Sequence, residues 1–376
     1  MTALPLDPGA LDPHSAARTR GPRGRAGSGQ TLYAELAAQV RGMGLLRRRP
    51  GWYLTRMVAG TLLLAGLLAA HVLLGDTWWQ LLLAGGVAVV LTQLAFLGHD
   101  AAHRQVFTGG RANDWTALVL INLLLGMSHS WWTGKHSRHH GNPNREGRDP
   151  DLGSRAVAMT PAAMAARTRP GSWLARKQGW FVFPLMLLEG LALHAHGLRV
   201  VFGRRGFRRR WLEAAFLVLR LGGYVALVAV VLPPGKAAAF LGVQLGLFGL
   251  YMGLAFAPNH IGMPVLPREA ELDFLRKQVL TSRNIAGGRA VDELMGGLNL
   301  QIEHHLFPSM PRPHLRLARP VVEAFCRRHD ISYASPSLLT AYGEVRRYLD
   351  GVGQRRADPF SCPFVARYRL VAPPTG

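Results

Sequence analysis

The chain has 376 residues, enough for one large domain or two ordinary ones. Hydrophobic residues make up 49% of it, yet 44 lysines and arginines against 22 acidic residues give a net charge of +22. Because the basic residues crowd the ends of long apolar stretches, this charge indicates an anionic membrane surface and argues against nucleic acid as a partner. The two cysteines, Cys326 and Cys362, are too few for a disulfide scaffold.

The two ends of the chain differ in composition from its middle. Residues 1–30 are rich in Gly, Pro, Ala and Arg and contain no apolar core, which argues against a secretory signal peptide. We therefore predict a disordered cytosolic tail over residues 1–40, a membrane domain over 41–350 and a second tail over 351–376.

Four apolar stretches are long enough to cross a bilayer of ~30 Å as helices. They cover about residues 57–75, 77–98, 214–232 and 237–259. The third stretch contains Arg220, which must face the protein interior or reach the membrane surface. Two shorter apolar stretches, 115–127 and 181–193, are predicted to be interfacial or re-entrant helices.

The arginine-rich segments 41–56 and 199–210 flank the predicted spans on one side. Because cytosolic loops carry an excess of Lys and Arg, both termini are expected in the cytosol. The predicted fold is an all-α, multi-pass membrane protein with four transmembrane helices, interfacial helices and a cytosolic helical cap that begins near residue 261.

Three short clusters of histidine follow the predicted helices. They are His99 and His103, then His136, His139 and His140, and finally His304 and His305 preceded by Gln301. Offsets of three and four residues place side chains on one face of a helix, and neutral imidazole is a good ligand for a transition metal. Seven imidazoles are too many for one metal, so two metals are predicted. A surface or structural histidine cluster is the alternative, and three such clusters beside apolar segments argue against it.

The predicted topology agrees with the metal interpretation. Two crossings bring His99 to the cytosolic face, and four bring His260, at the end of the last predicted span, to the same face. All the clusters therefore lie just outside the bilayer on one side. Apolar spans beside a metal pair predict an apolar substrate that enters from the lipid and is oxidised at an unactivated C–H bond.

The three clusters resemble the histidine boxes of the integral-membrane fatty acid desaturases. Residues 296–308, GGLNLQIEHHLFP, are especially similar to the third box, and the resemblance covers about residues 55–345. Gln301, where many desaturases have histidine, is typical of the acyl-lipid and front-end branch.

The resemblance implies an iron-binding role for eight histidines. The box ligands correspond to His99, His103, His136, His139, His140, His304 and His305, and His260 corresponds to the additional ligand after the last span. Gln301 occupies the remaining ligand position, where it binds iron through its carbonyl oxygen, acts through a water or only shapes the site. The implied reaction removes two hydrogens from adjacent methylenes of an acyl-CoA or acyl-lipid, with O2 as co-substrate, and leaves a cis double bond.

The resemblance also bears on the electron donor. Many front-end members carry a fused cytochrome b5 domain with a His-Pro-Gly-Gly motif, and this sequence contains no such motif. We therefore expect electrons from a separate protein, a ferredoxin or a cytochrome b5, and a basic cytosolic face suits an acidic donor.

Polar residues near the boxes are candidates for orienting the imidazoles, since a ligating histidine usually donates its other N–H to an oxygen. The candidates are Asp100, Asp149, Asp292, Asn299 and Glu303. We interpret Trp131 and Trp132 as membrane-interface residues rather than as parts of an acyl tunnel. His129, His194 and His196 are expected to be hydrogen-bonded or interfacial histidines rather than ligands.

Two other functions are compatible with these motifs. A hydroxylase, ketolase or epoxygenase on the same scaffold differs only in the fate of the substrate radical. A membrane transporter or metal-binding protein without enzymatic activity is the alternative from another class. The histidines lie outside the predicted spans rather than at mid-membrane, which argues against a transporter.

Overall fold

The computed structural model describes residues 28–154, 156–203 and 206–355, and helices dominate this part of the chain. The extended backbone within it pairs only at two isolated bridges, Arg145 with Leu266 and Ala286 with Ser337. The prediction of an all-α membrane protein is confirmed.

The N-terminal part contains two long apolar helices that lead to the first two histidine clusters. Its helices are α1 (Ser28–Gly42), α2 (Pro50–Leu74), α3 (Gln80–Ala102), α4 (Gly110–Leu118) and α5 (His129–Gly141). Pro50 suits the first turn of α2, where no backbone N–H is needed, and Gly75 ends that helix with a positive φ of 64°. Ser128 caps α5, because its hydroxyl accepts from the Trp131 amide at 3.2 Å.

The middle of the chain contains seven helices, of which the last is the longest. They are α6 (Pro161–Ala165), α7 (Arg169–Ala175), α8 (Gln178–Leu185), α9 (Glu189–Val201), α10 (Arg210–Leu217), α11 (Gly223–Val231) and α12 (Pro234–His260). Two wide π-helical turns interrupt the regular helices: Val119–Leu124 follows α4, and Val218–Gly222 joins α10 to α11. Such turns often lie at functional sites.

The C-terminal part forms the cap over the histidine clusters. Its helices are α13 (Phe274–Leu280), α14 (Arg289–Leu294), α15 (Gln301–Leu306), α16 (Arg312–Arg328) and α17 (Leu338–Gly353). Short 3-10 turns occur at Pro150–Gly153 and, between α8 and α9, at Met186–Leu188.

Helices α3 and α12 pack together at the centre of the apolar part and both end at histidines. Helix α2 covers α3 and keeps a largely uncovered apolar face, with Leu73 86% exposed. Val230 of α11 is 85% exposed. Exposed apolar side chains on apolar helices are expected where lipid is the solvent.

In the part of the chain that the structure describes, five helical segments are long and apolar enough to cross a membrane, by length and composition. Four of them contain most of the predicted spans, and the fifth, Gln178–Val201, contains the stretch predicted to be interfacial. The rings of His139 and His260 approach within 3.3 Å, so the chain between them must cross the membrane an even number of times. Complete crossings by Arg210–Val231 and Pro234–His260 give an even number. A third crossing by Gln178–Val201 would make the number odd. The parity favours four spans, and that count stays a prediction.

The predicted N-terminal tail is wrong for the residues that the structure describes. Helix α1 packs Leu36, Ala37 and Val40 against the cap, because its apolar positions recur at helical spacing and find a complementary surface on α13 and α16. Helix α17 likewise continues to Gly353, past the predicted domain boundary at residue 350. The other parts of the predicted tails, 1–27 and 356–376, and positions 204 and 205 of the basic segment lie outside the described residues.

Candidate metal centre

The structure brings all three histidine clusters and His260 together beneath the cap. Five rings form a first group, in which all ligand atoms lie within 4.8 Å of one another: His99, His103, His136, His140 and His304. We call this the five-histidine group. It joins the end of α3 to one face of α5 and to α15.

His139, His260 and His305 form a second group, the three-histidine group, by the same distance criterion. The Nε2 atoms of His139 and His260 are 3.3 Å apart. Gln301 points into this group, with its amide nitrogen 3.0 Å from the His260 Nε2. The helical spacing predicted that Gln301 faces the histidines, and its role as a ligand stays a prediction.

The contacts inside the five-histidine group have the spacing of ligands to one metal ion rather than that of a hydrogen-bond network. The His136 Nε2 lies 3.1 Å from the His99 Nε2, 2.9 Å from that of His103 and 3.0 Å from that of His140. The His136 Nε2 can take part in only one hydrogen bond, either as donor or as acceptor. At least two of its three contacts therefore cannot be hydrogen bonds. Imidazole nitrogens bound to one metal at ~2.0–2.1 Å and at right angles lie ~3.0 Å apart. The observed spacings match that arrangement.

Burial and mutual repulsion keep most of these rings neutral, which is the form that binds a metal. Desolvation, followed by the charges of neighbouring histidines, holds the pKa of five rings well below its ordinary value: His103, His136, His140, His304 and His305. Burial also lowers the pKa of His139, but the carboxylate of Asp149 outweighs it and raises that pKa overall.

Four of the eight rings lie with Nδ1 against an oxygen acceptor, which turns Nε2 inward. The pairs are His99 with Asp100 at 3.2 Å, His139 with Asp149 at 3.0 Å, His260 with the Thr281 carbonyl at 3.0 Å and His305 with the Gln278 Oε1 at 2.9 Å. The His305 Nε2 is buried without a hydrogen-bond partner. A nitrogen that binds a metal has no hydrogen-bond partner in the protein, because its lone pair is directed at the metal.

The sequence analysis missed several of these supporting residues. Gln278 also donates to the His140 carbonyl at 3.0 Å, so one amide fixes a ring of the three-histidine group and the backbone of α5. Arg312 donates to Asp100 at 2.7 Å and forms a buried ion pair with it. No local motif identifies either residue. Arg312, for example, lies 212 positions from Asp100 along the chain.

Three of the proposed orienting residues hydrogen-bond elsewhere. Asp292 accepts from Asn299 at 2.8 Å and pairs with Arg316. Glu303 accepts from Asn284 at 2.7 Å and from Tyr333 at 2.7 Å. Burial raises the pKa of Glu303 to about 7. These contacts join separate segments of the cap to one another.

The remaining aromatic and histidine predictions have mixed outcomes. Trp132 stacks on His136 with ring centroids 4.5 Å apart, so its place is beside the metal centre rather than only at the interface. Trp131 stacks on His196 instead. His194 contacts the carbonyls of Gly190 and Leu125. The structure groups His129, His194 and His196 with no other candidate metal ligand among the described residues.

An apolar pocket adjoins the five-histidine group. It is lined by Ala95, Phe96 and His99 of α3, by Ile121, Leu125 and Met127, by Trp132, and by Met252 and Phe256 of α12. His99 therefore belongs both to the pocket wall and to the metal centre. An apolar group that entered this pocket would lie beside the His99 ring.

Comparison with known proteins gives one consistent family. The family described as fatty acid desaturase matches residues 76–337. An acyl-lipid (9-3)-desaturase of Physcomitrium patens is 30% identical over 284 residues, which cover 72% of this chain and 53% of the relative. A Delta(8)-fatty-acid desaturase of Arabidopsis thaliana is 27% identical over 319 residues, which cover 81% of this chain and 71% of the relative.

A third relative is the Delta(5) fatty acid desaturase fat-4 of Caenorhabditis elegans. It is 27% identical over 338 residues, which cover 82% of this chain and 71% of the relative. The chain thus spans about half the length of the Physcomitrium relative and somewhat over two thirds of the other two.

Proposed function

The chain belongs to the fatty acid desaturase family, and we propose that it is a membrane-bound, di-iron, O2-dependent desaturase that introduces a cis double bond into an acyl chain. The substrate is an acyl-CoA or an acyl-lipid. One observation carries the proposal: two histidine groups, together eight imidazoles and Gln301, lie directly beside an apolar pocket.

The donor set fits two irons. Neutral imidazoles suit a first-row transition metal, and their inward Nε2 atoms have the spacings of a shared coordination sphere. His99, His103, His136, His140 and His304 would hold one iron; His139, His260 and His305, with Gln301, would hold the other. Iron held by these residues would supply the O2 chemistry, in which the two substrate hydrogens, two electrons from an external donor and two protons convert O2 to two waters.

The chain's own residues bind and orient the substrate. The walls formed by Phe96, Leu125 and Phe256 exclude water and favour an acyl chain by apolar burial. Trp132 fixes the ring of His136 by stacking at 4.5 Å while it also lines the pocket. A methylene pair in this pocket is therefore presented to the edge of the five-histidine group, which provides the proximity that C–H oxidation requires.

The two proposed iron sites differ in the strength of their donors, because the three-histidine group is completed by Gln301. Gln301 offers a neutral amide where an imidazole would bind more strongly. Asn259 donates to the Gln301 Oε1 at 3.5 Å, and this contact restrains the amide near His260. We propose that Gln301 leaves one coordination position of its iron more open than a histidine would.

The proposal includes a cytosolic site and a separate electron donor. Arg138 on α5 and Arg148 just after that helix are both exposed and lie close in sequence to the second histidine cluster. A basic surface beside the metal centre is suited to an acidic carrier such as a ferredoxin or a cytochrome b5. The positive-inside pattern of the arginine-rich segments supports the cytosolic orientation.

Heterologous expression tests the activity. In a host of known lipid composition, the protein should produce acyl chains with new double bonds, located by mass spectrometry, and the purified protein should hold two irons per chain. Replacing His103, His139 or His304 with Ala should abolish the product and lower the iron content, whereas His329→Ala, outside both groups, serves as the matched control.

Other outcomes have a clear meaning. New hydroxyl, keto or epoxy groups instead of double bonds would identify a different oxidation on the same scaffold. Two bound irons without any O2 consumption or modified lipid would identify a metal-binding protein and overturn the proposed activity. Full activity in any of the three histidine variants would remove that residue from the ligand set.

A further inference from the structure

Two charged side chains of the segment Arg210–Val231 reach into the protein rather than toward lipid. Glu213 is fully buried, and Arg220 contacts the backbone of the wide turn that follows α4. Ionisable groups at membrane depth are unfavourable unless they are paired, and they commonly mark a functional region. Neither residue contacts the histidine groups, so the proposed function does not account for them.

Glu213 fixes the start of the helix that carries the second histidine cluster. Its carboxylate accepts from the Ser128 hydroxyl at 2.7 Å, from the Ser130 amide at 3.1 Å and hydroxyl at 2.5 Å, and from the Asn122 side chain at 3.2 Å. The Ser128 hydroxyl simultaneously caps α5 by accepting from the Trp131 amide. A negative charge at a helix N-terminus is favourable, so this carboxylate fixes both the position and the axis of α5.

Arg220 holds the middle of the same connection, between the residues that Glu213 contacts. Its Nε donates to the Leu124 carbonyl at 2.6 Å, and its guanidinium lies 4.4 Å from the centre of the Tyr224 ring. The turn Val119–Leu124 leaves backbone carbonyls that an ordinary helix would pair, and Arg220 satisfies one of them. Gly126 follows with φ +78°, and its Cα packs beneath the Leu221 side chain.

The segment held by these contacts is a wall of the apolar pocket. Ile121, Leu125 and Met127 line the pocket together with His99, and all three lie between or beside the residues that Glu213 and Arg220 contact. The same segment continues directly into α5 and its histidines. A displacement of this wall therefore shifts an acyl chain relative to the histidine groups.

We propose that Glu213 and Arg220 are positioning residues which set the register of the acyl chain against the metal centre and thereby determine which carbon pair is oxidised. The inference rests on the proposed function for its substrate class. We call Glu213 and Arg220 with their hydrogen bonds the polar clamp. The proposal is that this clamp, and not the pocket side chains alone, determines the position of the new double bond.

Two variants and a matched control test the clamp. Arg220→Gln removes the guanidinium that holds the Leu124 carbonyl, and Glu213→Ala removes all four acceptor contacts. Arg210→Gln is the control, because Arg210 lies on the same segment and also donates to a backbone carbonyl, that of Val201, outside the pocket wall. Glu213→Gln and Arg220→Lys, which keep part of the hydrogen bonding, should shift both the isomer ratio and the crosslinks in the same direction but by a smaller amount.

Two readouts separate positioning from a loss of fold. The first is the ratio of positional isomers among the modified acyl chains; the second is photo-crosslinking of a C18 fatty acid with a diazirine at one fixed carbon, with the labelled residue identified by peptide mass spectrometry. We expect the minor isomer fraction to rise at least fivefold in Arg220→Gln and Glu213→Ala. The crosslink should move along the segment 119–132, while Arg210→Gln keeps the wild-type pattern of both.

The results decide between the two proposals. Lower turnover with an unchanged isomer ratio and unchanged crosslinks would overturn the clamp, as would an equal shift in Arg210→Gln. If the wild type modifies no acyl chain, the proposed function fails, and the crosslinks alone decide the clamp. If Glu213→Ala or Arg220→Gln fails to accumulate as folded protein, Glu213→Gln and Arg220→Lys must still show a smaller shift in the crosslinks, and unchanged crosslinks in both refute the inference.

Discussion

Replacing Asp149 with Asn tests how the three-histidine group is supported. Asp149 is buried and accepts from the His139 Nδ1 at 3.0 Å, from the Asn144 amide at 2.7 Å and from the Asp151 amide at 2.9 Å. The Asn144 side chain in turn donates to the His260 carbonyl at 2.9 Å. One carboxylate therefore orients His139 directly and the end of α12 through Asn144.

The expected magnitude follows from the charge that the substitution removes. A hydrogen bond to a charged group contributes about 1.5–3 kcal/mol, against about 1 kcal/mol for a neutral one, and Asn retains a neutral acceptor of the same shape. A net loss of about 0.5–2 kcal/mol corresponds to roughly 2- to 30-fold weaker binding. The general range for losing such a supporting contact is about 10- to 100-fold. We therefore expect roughly tenfold weaker binding of the iron held by the three-histidine group.

The assay is iron release to a graded series of chelator concentrations, with retained iron per chain measured by mass spectrometry. Asp149→Asn should release one iron at roughly one tenth of the wild-type chelator concentration, while the iron of the five-histidine group is retained. Asp292→Asn is the matched control, since this carboxylate pairs with Arg316 and Asn299 instead of a histidine. A release curve like that of the wild type would show that Asp149 does not support a metal ligand, and simultaneous loss of both irons would refute the separation into two groups.

Three further outcomes are expected. Gln301→Ala should lose most turnover yet retain at least one iron, whereas Gln301→His should retain both irons; unchanged turnover in the Ala variant would show that the third cluster contributes only its two histidines. Cysteines introduced at residues 30 and 340 should be labelled from the same membrane face, and labelling from opposite faces would refute the topology. Gly296→Ala should lower the unfolding temperature and destabilise the fold by ~2 kcal/mol or more, because φ there is +57° and a Cβ would overlap a buried phenylalanine ring. Gly288→Ala, where a Cβ meets open space, should leave the unfolding temperature unchanged.

Local periodicity predicted that the members of each histidine cluster share one face of a helix, and the structure divides each of the last two clusters between two groups. His136 and His140, four residues apart, share one face of α5 and one group, while His139 turns toward the other group. His304 and His305 are adjacent and therefore diverge by about 100° on the helix, and they enter different groups. Composition alone likewise indicated the apolar spans, because crossing a bilayer requires a long uncharged segment.

Proximity in sequence was a poor guide to the residues that support the imidazoles. Asp149 was found because it follows the second cluster closely, but Glu303, one residue before His304, faces Asn284 and Tyr333. The two other supports, Gln278 and the Thr281 carbonyl, belong to a segment with no motif of its own.

Only the tertiary structure decided how the rings divide into two groups and what borders them. The face of a helix on which a residue lies can be predicted from the sequence, because this face depends on backbone geometry over a few residues. The direction in which a helix axis points depends on packing between distant segments, such as α3 against α12 and the wall held by Glu213 and Arg220. Those contacts arise from the shape of the whole core, and no local pattern encodes them.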